Sequence, residues 1–127
     1  MSYPFDSAEG LIVVAARLHG PKGEIVVRLA LDTGATGSLV STDLLVSLGY
    51  DPAESSAQIR ITTGSGVESA TETGLDRIDA LGMTVRGFPI VSHTLPEAAG
   101  VDGLLGLDFF RGRRLILDFR SGTVAVE

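Results

Sequence analysis

An all-β domain closed into a barrel, with one or two short helices, is the fold the sequence predicts, and three observations lead to it. Short runs rich in Val, Ile, Leu and Thr recur along the 127 residues, several alternating apolar with other residues, the period of a strand with one buried face. Clusters of turn-forming residues separate them, at Gly20-Pro21-Lys22-Gly23, Gly64-Ser65-Gly66 and Arg120-Ser121-Gly122. Only the stretch after Ser41 carries helix start and stop signals of its own, and it has room for about two turns. Many short strands with little helix fit a closed barrel.

The elements follow in order. Leu11 to Leu18 is apolar and β-branched, and Ile25 to Leu31 places Ile25, Val27, Leu29 and Leu31 on one face, so the two runs make a hairpin around Gly20–Gly23. Ser41 suits a helix N-cap, Asp43 its first turn, Leu44, Leu45 and Leu48 its apolar side, and Gly49 the position just past its end. Gln58 to Thr63 and Val67 to Thr73 form a second hairpin around Gly64-Ser65-Gly66, and its Thr- and Ser-rich outgoing arm has little to anchor it. Leu75 to Ile78 and Thr84 to Val91 are further strands, the latter placed at an edge or a bulge by Pro89, which lacks a ladder donor. Pro96 to Asp102 is a loop, and Leu115 to Phe119 and Thr123 to Val126 close the chain as strands.

The chemistry concentrates at Leu29-Ala-Leu-Asp-Thr-Gly-Ala-Thr-Gly-Ser-Leu-Val40. A strand runs straight into Asp32, and a carboxylate at the mouth of an apolar strand is costly to desolvate unless donors surround it. Thr33 and Thr36 offer hydroxyls, while Gly34 and Gly37 let backbone N–H groups come close. Other candidates are weaker. Asp108, near the start of a short helix, reads as a capping or dipole-stabilising residue, and Asp118 as solvated. His19 and His93 have no acidic or serine motif beside them, and Gly64-Ser65-Gly66 lacks the Lys and following helix of a phosphate loop.

Composition narrows the partners. A net charge of -6 argues against nucleic acid, and the absence of cysteine excludes disulfides and thiolate metal sites. The cluster Arg111, Arg113, Arg114 reads as a solvated helix end. The length fits one domain, residues 1–127, with residues 1–10 expected to be flexible. Met1 to Gly10 has no apolar core of a signal peptide, and no run approaches membrane-spanning length. A complete chain is therefore expected in the cytoplasm, with a membrane-tethered or exported parent as the other case.

The pattern of an apolar strand followed by Asp32-Thr33-Gly34-Ala35-Thr36 resembles the active-site motif of aspartic proteases, and Gly103-Leu104-Leu105-Gly106-Leu107-Asp108-Phe109-Phe110 resembles their second element. Asp-Thr-Gly occurs once, so the resemblance is to the retropepsin-like branch and to its cellular and bacterial members. It spans Leu11 to Val126. It implies an acid-protease barrel with a flap hairpin and an endopeptidase acting on peptide or protein, with no cofactor or metal. It also implies a homodimer in which two copies of Asp32 meet across a two-fold axis.

By that resemblance Asp32 is the catalytic acid/base and Thr33 bonds across the axis to its mate. Gly34 offers a carbonyl to substrate within a loop completed by Ala35 and Thr36. Leu104, Leu105 and Gly106 support the loop from behind, and Thr63, Gly64, Ser65 and Gly66 make the flap. Thr36 and Leu107 depart from the retroviral pattern, which has an Asp and an Arg there. Both charges of that ion pair are missing together, so neither is stranded. A catalytically silent peptide-binding or dimerisation module on the same fold is the alternative.

Overall fold

The β2–β3 hairpin shows how the sequence builds the barrel wall. In β2 (Val13–Gly20) residues Val14, Ala16 and Leu18 are buried, and they face Leu29, Val27 and Ile25 of β3 (Gly23–Leu31). Gly23, at φ 133, closes the turn in a conformation that side chains disfavour. The computed structural model describes residues 1–51, 57–63, 66–96 and 99–127. The flap-tip residues Gly64 and Ser65, and two residues of the Pro96–Asp102 loop, lie outside these.

The remaining strands are β1 (Ser2–Pro4), β4 (Leu39–Ser41), β5 (Ala57–Thr63), β6 (Gly66–Ala80), β7 (Met83–His93), β8 (Gly103–Leu105), β9 (Leu115–Asp118) and β10 (Thr123–Val126). Together with β2 and β3, four of them run in the order β2-β3-β8-β4-β7-β6, and a further β2–β6 pairing closes the barrel. Among the described residues strand β5 pairs only with the outer half of β6, from Ala57↔Glu72 to Thr63↔Gly66. Strands β1, β10 and β9 form a separate three-stranded sheet, so Ser2–Pro4 is held as a strand against Thr123–Ala125.

Strand β6 is longer than the two pieces read from the sequence. Gly74 interrupts the apolar pattern, yet it pairs with Pro89 and the ladder continues to Ala80↔Met83. Pro89 lies where β7 has β6 on one side only, because β4 joins β7 from Val91 onward. The missing donor of Pro89 therefore breaks no second ladder.

Two short helices, α1 (Thr42–Ser47) and α2 (Leu107–Phe110), complete the described elements. Ser41 stands at the N-cap of α1 without a side-chain capping bond, and Gly49 ends it at φ 96. The core fills the barrel with Leu18, Leu29, Leu75, Ile78, Ile90 and Leu105. Phe109 of α2 plugs one end, edge-on to Phe88 at 5.9 Å and to Phe110 at 5.4 Å between ring centroids. Among the described residues no helix is long and apolar enough to cross a membrane.

Candidate active site

The site arises where β8 is threaded between two consecutive strands. β8 pairs parallel with β3 (Leu29↔Gly103 to Leu31↔Leu105) and antiparallel with β4 (Leu39↔Leu104, Val40↔Gly103). The connection from β3 to β4, residues 32–38, must therefore loop over the end of β8. That crossing is tight: a Cβ on Gly103 would collide with Leu39 O, and one on Gly106 would lie 2.8 Å from Ala35 O.

Backbone bonds fix the loop. Asp32 N–H donates to Leu105 O at 2.9 Å, Ala35 N–H to Asp32 O at 3.2 Å, and Leu107 N–H to Ala35 O at 2.8 Å. The Asp32 carboxylate is half-buried and accepts from Gly34 N–H at 2.9 Å through Oδ1. Thr33 and Thr36 correct the sequence reading, which offered their hydroxyls as donors to this carboxylate. Both are exposed, and neither bonds to Asp32 within the chain. The loop turns them outward, and partial access to water meets the solvation need instead.

Ser38 and Asp108 are the pair the sequence reading missed. Ser38 is fully buried. Its Oγ–H donates to Asp108 Oδ1 at 2.7 Å, its N–H to Asp108 Oδ2 at 3.0 Å, and its Oγ accepts from Gly106 N–H at 2.9 Å. Asp108 does lie in the first turn of α2, but no side-chain bond caps that helix. A hydroxyl at a buried position of the Leu39-Val40 stretch was the only local signal. Its partner is seventy residues away.

A cleft of about 650 Å³ opens beside Asp32. The 32–38 loop, Leu39 and Leu104 form one wall, Ile59 to Thr62 of β5 the other, and Val91, His93 and Leu95 also line it. Of the flap residues named from the sequence, Thr63 and Gly66 end β5 and begin β6 as a paired register position, with Gly66 at φ 117. The cleft thus joins Asp32, Gly34, Ala35, Thr36 and Leu104 to the root of the flap. Leu105 is buried behind Asp32 in the core, and Gly106 underlies Ala35 and Gly37.

A second polar cluster lies outside that cleft. His19 Nε2 is 2.8 Å from Asp79 Oδ2, and its Nδ1 is 3.2 Å from Glu24 Oε2, so the acidic neighbours that the sequence did not reveal come from β6 and across the hairpin. Arg77 Nε at 2.9 Å and Thr84 Oγ1 at 2.7 Å both donate to Asp79 Oδ1. The Arg77 bond foremost, then that of Thr84, holds the Asp79 carboxyl well below the usual carboxylate range. Among the described residues no group of three or more His, Asp or Glu side chains is placed to hold a metal.

Comparison with known proteins places this geometry. A family model described as aspartyl protease matches residues 14–109. Among solved structures the chain is similar to a retropepsin-like aspartic protease from Rickettsia conorii, at 14% identity and TM-score 0.73, over 99% of this chain and 89% of that one. It is also similar to the retroviral protease-like domain of Ddi1 from Leishmania major, at 15% identity and TM-score 0.58, over 92% of this chain and 94% of that one. No match was found among curated proteins. The family model spans most of the chain, which therefore belongs to the aspartyl protease family, on a retropepsin-like barrel.

Proposed function

We propose that the chain is an aspartic endopeptidase that works as a homodimer, with Asp32 of each subunit forming the catalytic pair. The observation that carries this reading is Asp32 itself. It is a half-buried carboxylate whose backbone is pinned to β8 and which opens into a cleft bounded by a projecting hairpin. Asp-Thr-Gly occurs once in the chain, and peptide hydrolysis by carboxyls needs both a base and an acid. A two-fold axis supplies the second.

Like charges at contact distance do not both ionise cheaply, so the pair shares one proton. The ionised Asp32 takes a proton from water, and the water oxygen attacks the peptide carbonyl carbon. The protonated Asp32 of the partner subunit gives its proton to the carbonyl oxygen. Collapse of the tetrahedral diol then breaks the C–N bond as the proton taken up by Asp32 passes to the leaving nitrogen and a diol hydroxyl proton returns to the ionised Asp32 of the partner subunit. These steps balance with two carboxyls and water alone.

The exposed Thr33 is free to bond across the axis, and Gly34 to present its carbonyl to an extended peptide under β5. Apolar walls at Leu39, Ile59, Ile61 and Leu104 suit peptide side chains, and a net charge of -6 suits peptide better than nucleic acid. Digestion of a peptide library tests the reading. Wild type is expected to cleave, and Asp32→Asn, isosteric but unable to act as base, to retain fold and dimer without cleavage. Equal cleavage by both would remove Asp32 from the mechanism, and cleavage by neither would leave a silent peptide-binding module.

A further inference from the structure

We propose that Asp108 is a positioning residue for Asp32, acting through the buried hydroxyl of Ser38. The inference rests on the catalytic reading of Asp32 and adds what holds that carboxylate in place.

Residues 32–38 leave the barrel at one end of β8 and return along its other side, so the position of Asp32 depends on how both ends are fixed. At the first end there is a single backbone bond, from Asp32 N–H to Leu105 O. At the second, Ser38 is fully buried and makes four bonds, one of them backbone, from Val91 N–H to its carbonyl at 3.0 Å. It donates twice to Asp108 and accepts from Gly106 N–H. Gly106 links the two ends, because it follows Leu105, whose carbonyl holds Asp32.

The hydrogen inventory fixes the direction of each bond. Gly106 N–H occupies the Ser38 oxygen as a donor, so the Ser38 hydroxyl hydrogen points to Asp108 Oδ1. Ser38 N–H points to Oδ2, so Asp108 serves as a carboxylate with both oxygens accepting. No neutral side chain of that shape repeats this. An Asn accepts from one donor and turns an NH2 group toward the other, and an Ala leaves a buried hydroxyl without its acceptor. Among the described residues no buried side-chain N or O lacks a partner, so either change would leave an unpaired group in a site that is otherwise satisfied.

The consequence is catalytic as well as structural. If Ser38 shifts, so does Gly106, and with it the Leu105 carbonyl that sets the Asp32 backbone and the Gly34 N–H that meets the carboxylate. A displacement well under the size of an atom at a reacting carboxyl lowers the rate more than it lowers binding. Loss of the clamp is therefore a loss in kcat, with KM nearly unchanged.

The test compares wild type, Asp108→Asn, Asp108→Ala and the double variant Ser38→Ala/Asp108→Ala, at protein concentrations where each is dimeric. A thermal melt establishes the folded fraction. For Asp108→Asn the expected result is a fall in kcat per folded dimer of about ten- to a hundredfold with KM within about twofold. Asp108→Ala falls at least as far, and the double variant no further than the worse single one, because the residues act as one unit. A carbon-13 NMR titration of the Asp32 carboxyl and the Gly34 amide resonance are expected to move in Asp108→Asn. Should Asp108→Ala fail to fold, Asp108→Asn carries the comparison. A lowered melting temperature with unchanged kcat and an unmoved Asp32 titration would overturn the inference and leave Asp108 a purely structural residue. If the wild type cleaves no peptide, the catalytic reading fails separately. In that case a moved Asp32 titration still supports the clamp, and an unmoved one overturns it.

Discussion

Gly106 has no room for a side chain, since a Cβ there would lie 2.8 Å from Ala35 O and 2.9 Å from both Gly37 C and O. Gly106→Ala should therefore cost about 1–3 kcal/mol by overpacking, read by urea denaturation, and activity should fall further than the unfolded fraction explains. Unchanged stability would mean that the 32–38 loop yields easily. Ala35 is expected to matter to the pH dependence of the proposed activity. A hydroxyl beside the Asp32 pair can donate to the ionised form and favour it, and alanine cannot. Ala35→Ser is predicted to move the acidic limb of the pH–rate profile to lower pH, the limb belonging to the coupled pair and not to one residue. A limb that stays put or moves to higher pH contradicts this. At this scale the sequence was legible where partners are local: Asp32, Gly34 and Ala35 lie within one turn of chain. Ser38 with Asp108, and His19 with Asp79, are joined only by folding across seventy and sixty residues, so no window of sequence pairs them.

Strand β6 belongs to two environments along its length. Its inner half carries Leu75 and Ile78, both fully buried, while β5 lies on its outer half and pairs with no other strand among the described residues. Amides of Ile59 and Ile61 should exchange with solvent at least about tenfold faster than those of Phe88 and Ile90, because opening β5 exposes little core. Hydrogen exchange followed by NMR checks this, and equal protection would show that the hairpin does not open independently. Asp79 ties the other end of the barrel, joining β6 to β2 through His19 and to β7 through Thr84. Its lowered pKa stabilises the fold above the unfolded value of about 3.9, and that stabilisation is lost as pH falls toward the folded value. Asp79→Asn should thus cost about 1–2 kcal/mol near neutral pH, the gap closing as the solution is acidified below about pH 4. A gap independent of pH would mean that the Asp79 charge contributes nothing. Hairpins and strands were legible at this scale because period and turn chemistry are local properties. The continuity of β6 past Gly74 was not, since it depends on Pro89 in another strand.

For the whole molecule, the order β2-β3-β8-β4-β7-β6 could not be read from alternation, which finds strands but not their neighbours. The closed barrel itself was legible, from many short strands and the two motifs. The proposed dimerisation also belongs to this scale. With Thr36 and Leu107 in place of a charged pair, and β1, β10 and β9 already paired within the chain, subunit contacts are expected to be modest, so activity per subunit should rise with protein concentration. Sedimentation beside the assay checks this, and a strict monomer at concentrations that cleave peptide would contradict it. The central claim is that each active site takes one Asp32 from each of two subunits, and mixing subunits tests it most directly. Wild type and Asp32→Asn are combined at fixed total concentration, allowed to exchange, and assayed on one peptide. The account predicts that activity follows the square of the wild-type fraction, whereas a linear fall would show that a single Asp32 suffices.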